Sequence, residues 1–133
     1  MSAAKAITPE MAKQEVEKWL DFRRVRNRKR QENESSIDDL IEAFEDGILI
    51  LDPKTHVIKQ KLLFDTAGKK ELNFKPSMTV GEGQRALKGL KSTDSHGMLL
   101  AYVSELTGEV KEVINQLNSE DYGIARTIAG FFF

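Results

Sequence analysis

Residues 48–74 read ILILDPKTHVIKQKLLFDTAGKKELNF, and this stretch decides the fold class. Ile48-Leu49-Ile50-Leu51 is too short for a helix and consists of strand formers. Asp52-Pro53 followed by Lys54 and Thr55 is turn chemistry: Pro presets φ and an Asp carboxylate accepts from the amides just ahead. A four-residue loop therefore leads into a second strand over residues 56–64. Ile58, Gln60, Leu62 and Phe64 share one of its faces; Val57, Lys59, Lys61 and Leu63 share the other. Asp65-Thr66-Ala67-Gly68-Lys69 is a second turn, after which Leu72 and Phe74 point inward from a third strand. A three-stranded antiparallel meander with one wet face is expected, and its apolar face requires a helical cover.

Upstream, Ile37, Leu40, Ile41 and Phe44 fall at i, i+3, i+4 and i+7, the pattern of a one-sided helix. Ser35-Ser36 ahead of Asp38-Asp39 supplies an N-cap, and Gly47 a left-handed C-cap. Thr8-Pro9 opens an earlier helix predicted to run to about Arg30. Ala12, Val16, Trp19, Leu20 and the stem of Arg23 form its narrow apolar stripe. The far end carries Arg23, Arg24, Arg26, Arg28, Lys29 and Arg30, the most concentrated polar cluster in the chain. One reading is a phosphate-binding helix; the other is a solvated helix end with cations at the negative pole of the dipole. No aromatic alternates with the basic residues, as stacking on single strands requires, so nucleic acid ranks below protein as the expected partner.

Downstream, Pro76 ends the sheet and Thr79-Val80-Gly81-Glu82 is a capping box opening a helix to about Leu90. Gly81-Glu82-Gly83 lacks the lysine of nucleotide loops and puts a carboxylate where phosphate would sit, so close helix packing accounts for the glycines. Thr93 or Asp94 caps a helix bearing Met98, Leu99, Leu100, Tyr102, Val103 and Leu106. Apolar over more than one face, it is expected to be central. Thr107-Gly108 breaks it. Val110, Val113, Ile114 and Leu117 mark a further helix. Asn118, with Asp121 three residues on, starts the last, whose inward set is Tyr122, Ala125, Ile128, Ala129 and Phe132. The expected fold is α+β: N-terminal helices, a small three-stranded antiparallel meander, then a C-terminal bundle of about four helices. Residues 1–46 are expected to form a helical segment with the basic stretch, and residues 47–133 the strand meander and helical domain.

The chain closes on Phe131-Phe132-Phe133, and each fully exposed ring forgoes roughly 1.5–3 kcal/mol of burial. Only Phe132 falls on the inward register. Phe131 and Phe133 are therefore expected to meet a partner, with Met98 and Met78 as adaptable apolar surface beside them.

At 133 residues, 40% apolar and 31% charged, the composition is that of a globular protein, and a formal net charge of −1 excludes a global field for nucleic acid or anionic membrane. Cysteine is absent, which removes disulfides and thiolate metal sites. No apolar run approaches the ~20 residues of a membrane span, and residues 1–11 lack the apolar core of a secretory signal; a cytoplasmic protein is expected. His56 and His96, the only histidines, have no HxxxH or HxxE partner. No G-x-S-x-G elbow, phosphate loop or EF-hand spacing is present, so neither an enzyme nor a cofactor or metal is expected.

From residue 48 onward, the meander, the capped helix at Met78-Thr79-Val80-Gly81-Glu82, the helix ending Glu105-Leu106-Thr107-Gly108, the helix ending Gln116-Leu117-Asn118 and the start Glu120-Asp121-Tyr122 of the last form a familiar order. It resembles that of the tail assembly chaperones of long-tailed phages and Mu-like prophages, over residues 48–133. The resemblance implies a non-enzymatic protein of the bacterial host cytoplasm, absent from the mature virion. It would bind a helical segment of the tape measure protein before tail-tube polymerisation, with self-association as a further expectation. It also implies a longer form made by ribosomal frameshifting near the C-terminus. The competing expectations are a nucleic-acid-associated accessory protein using residues 23–30 and a small structural tail or connector protein.

Overall fold

Thr8 and Pro9 start the first helix as their chemistry requires. In the computed structural model, which describes residues 6–91 and 93–132, the Met11 amide donates to Thr8 Oγ1 at 3.2 Å. This helix, α1 (Pro9–Phe22), buries Ala12, Val16, Trp19 and Leu20. It does not run to Arg30. The Arg24 amide donates to Asp21 O and the Val25 amide to Leu20 O, both at 3.0 Å, with Arg24 at φ 57°. That is a Schellman closure with arginine in the left-handed position, and its apolar contact is supplied by Val25, which is buried. The chain restarts as α2 (Asn27–Glu32) and α3 (Glu34–Glu45). The same closure ends α3, where the Gly47 amide donates to Phe44 O and the Ile48 amide to Ala43 O, with Gly47 at φ 75°. Asn33, not Ser35 or Ser36, is the N-terminal boundary residue of α3.

The sheet comprises β1 (Leu49–Leu51), β2 (Ile58–Thr66) and β3 (Lys69–Phe74), antiparallel in that order. Leu49 pairs with Gln60, Ile58 with Phe74 and Thr66 with Lys69. The first loop is longer than the sequence suggests and spans residues 52–57; Asp52 Oδ1 accepts from the Lys54 amide at 2.8 Å and the Thr55 amide at 3.0 Å. The second turn is tighter, with Ala67 at φ 51° and Gly68 at φ 78°, the left-handed pair of a two-residue hairpin loop. Between Lys61 and Thr66 the register shifts, and the expected alternation fails there. Phe64, placed on the inner face by period-two counting, is 56% exposed, and Leu63 beside it is 52% exposed.

Four helices follow: α4 (Val80–Ala86), α5 (Ser95–Thr107), α6 (Lys111–Asn115) and α7 (Ser119–Ala129), the last tightening into a 3-10 turn over Gly130–Phe132. The Thr79–Glu82 capping box is present, but α4 ends at Ala86, short of Leu90, and Val80 is exposed. Gly83 is buried at the α4–α5 contact, where an added Cβ would stand 3.5 Å from Tyr102 Oη. Central α5 touches α4, α6, α7 and β3. Gly108 closes it at φ 74°. One hydrophobic cluster runs through the molecule, with Trp19 and Phe44 from residues 1–46 in the same core as Ile58, Phe74, Leu106 and Ile128. The fold is α+β.

Candidate functional site

Helices α3 and α7 lie side by side, and the bulged part of β2 is bonded to α7. Together they bound an open trough of about 410 Å³. Leu40 and Ala43, both buried, and the half-buried Ile48 and Ile124 form its apolar floor, with Leu63 beside them. Asp39 and Glu42 from α3 and Glu120 from α7 are exposed around it, and the half-buried Asp46 also lines it. Arg126 is the one cation among its described lining residues. At Gly123 an added Cβ would meet nothing within 4 Å, so the α7 backbone itself is open to the trough.

Asp121 builds this corner. Its side chain is completely buried, and its carboxylate accepts the Leu63 amide at 2.8 Å and the Phe64 amide at 3.2 Å. Its own carbonyl accepts from Gln60 Nε2 at 2.9 Å. In the first turn of α7 a carboxylate is favoured by the helix dipole, and here it also supplies the partners that the bulge takes away from two strand amides. Sequence reading gave Asp121 a capping role only. Asn118 performs the capping, its side chain accepting from the Glu120 amide at 2.9 Å.

Half of the basic stretch is drawn inward, namely Arg23, Lys29 and Arg30, while Arg24, Arg26 and Arg28 stay exposed. The Arg23 guanidinium donates to Pro76 O at 3.1 Å and Phe131 O at 3.2 Å, and lies 3.5 Å from the centroid of the Phe132 ring. Burial lowers the Arg23 pKa; burial and then the Arg23 charge lower that of Lys29, whose ammonium also donates to Phe131 O at 3.4 Å. Arg30 donates to Val25 O at 2.9 Å and pairs with Asp21 at 2.8 Å. Arg28 pairs with Glu32 at 3.3 Å, and Arg24 and Arg26 are exposed. Arg23 and Lys29 thus neutralise the carbonyl end that follows α7.

Phe131 is not an exposed contact. It is 3% exposed and meets Trp19 edge-to-face, centroids 5.7 Å apart. The 3-10 turn over Gly130–Phe132 advances each residue further around the axis than an α-helix does, so helical counting past Ala129 assigns the wrong ring inward. Phe132 is half-buried under Arg23, and Phe133 lies outside the described residues. Met78 is half-buried against the core; Met98, in the first turns of α5, is half-buried too. Phe131, being interior, drops out of the surface that the sequence suggested.

His56 stacks on Phe22 at 3.9 Å, and His96 meets Tyr122 edge-on at 6.1 Å. Among the described residues no group of three or more His, Cys, Asp or Glu side chains is placed to hold a metal, and no helix is long and apolar enough to cross a membrane. The trough residues escaped sequence reading because they come from three elements. A charge signal for them was visible: between Gln31 and Pro53 the chain carries eight carboxylates and no Lys or Arg. No family model, curated protein or solved structure matches the chain.

Proposed function

We propose that the chain is a non-enzymatic tail assembly chaperone of the phage and prophage type, acting in the host cytoplasm. It would hold a helical segment of the tape measure protein until tail-tube polymerisation begins. The observation that carries the reading is the open trough between α3 and α7, which pairs an apolar floor with a charged surround and suits the helix-in-groove mode of recognition. The order of elements from residue 48 onward supports it, as do the side-chain caps that start α4, α5 and α7. Phosphate binding has less to work with, since Arg23, Lys29 and Arg30 are engaged inside the molecule.

The test is co-expression with a tape measure protein, for which a long, helix-rich product of a neighbouring reading frame is the candidate. A chaperone keeps that product in the supernatant and co-purifies with it at high salt, because apolar contact survives salt that strips phosphate contacts. Mass spectrometry of purified particles should then find the chain missing. Its presence at stoichiometric level would make it a structural component, and an unchanged insoluble fraction of the partner would end the chaperone reading.

A further inference from the structure

The trough has a charge as well as a shape, and both specify its occupant. Its floor is apolar, and the exposed Asp39, Glu42 and Glu120 surround it with negative charge against a single described cation, Arg126. At Gly123 the open backbone lets an incoming helix approach more closely than a side chain would permit. We propose that the α3–α7 trough binds an amphipathic helix of a partner protein whose apolar seam is flanked by lysine or arginine. This deepens the chaperone reading and rests on it for the partner's identity, though not for the partner's chemistry.

The chain's own basic segment is a poorer occupant. Residues 23–30 contain one apolar side chain, Val25, and it is buried in its own fold, while Arg23 is fixed on Phe131 and Pro76. That segment of a second copy would therefore offer charge without a seam. The floor needs apolar anchors at helical spacing, which a partner helix supplies at i, i+3, i+4 and i+7.

The experiment uses the full chain and two synthetic peptides of about five helical turns, each with the same leucine seam, one flanked by lysines and one by glutamates. Fluorescence anisotropy should show binding of the lysine-flanked peptide, with the glutamate-flanked peptide weaker by about tenfold or more. Gly123→Leu projects a side chain into the open trough and should weaken the lysine-flanked peptide by about tenfold or more while circular dichroism stays unchanged. The double variant Asp39→Lys/Glu42→Lys, which alters only exposed positions, should reverse the preference between the peptides and covers the case in which Gly123→Leu fails to fold. Equal affinity for both peptides, or no change in the double variant, overturns the proposal. Self-association of the wild-type chain in sedimentation that Gly123→Leu abolishes would assign the trough to a second copy instead. Capture of the tape measure protein equally by wild type and Gly123→Leu would remove the trough but keep the chaperone reading. Peptide binding without such capture would do the reverse.

Discussion

Two side chains join parts of the chain that are far apart in sequence, and each can be tested alone. Phe131 fills the space against Trp19, so Phe131→Ala should cost about 3–5 kcal/mol in chemical denaturation, the range for emptying a buried aromatic site. A loss below about 1 kcal/mol, with tighter self-association or altered partner binding, would return that ring to the surface. Asp121 is the sharper case. Asp121→Asn keeps the size but replaces one acceptor oxygen with a donor, which then confronts the Leu63 or Phe64 amide. The expected loss is about 1–3 kcal/mol, with faster hydrogen exchange at those two amides than at Ile58 or Gln60.

Helices α1 and α3 end in the same hydrogen-bonded closure, yet only one of the two ends was legible. Gly47 announces a left-handed C-cap because glycine adopts that backbone at no steric cost. Arg24 occupies the equivalent place at φ 57° because burial of Val25 and the contacts of Arg23 over-determine it, and no local pattern reports contacts made to residues 76 and 131. Arg24→Gly should accordingly stabilise the protein by about 1 kcal/mol, read as a higher denaturation midpoint with unchanged slope. If α1 and α2 were one continuous helix, the same change would destabilise it. The rest divides on similar lines. Thr8-Pro9, Thr79 with Glu82, Gly108 and Asn118 were readable because their partners lie within a few residues. The bulge in β2, the inward turn of Phe131 and the trough are set by tertiary partners, and counting by period missed them.

Across the whole molecule, three elements meet at Lys75, which follows β3. Its ammonium donates to Glu82 of α4 and, at 3.0 Å, to Glu105 of α5. Burial opposes the Lys75 charge, but the two carboxylates outweigh it and its pKa rises. The hydrogen bond from Lys75, followed by that from the Thr79 amide, holds Glu82 down at about 2 against an ordinary 4.5. A carboxylate with a depressed folded pKa stabilises fully above its unfolded value and loses that contribution as pH falls through the folded one. The acid limb attributable to this cluster therefore lies between pH 4.5 and about 2. Lys75→Met should flatten the pH dependence of the thermal midpoint across that window; an unchanged acid limb would assign it to other carboxylates.

The bond from Arg23 to the Phe131 carbonyl spans 108 residues, and that span has a meaning in time as well as in space. On a ribosome, α1 emerges well before the residues that complete its packing. Trp19 stays without Phe131 against its ring, and Arg23 with only the Pro76 carbonyl of its two backbone acceptors, until residue 131 clears the exit tunnel. Closure thus runs against the direction of synthesis, with α1 finished by residues made long after it.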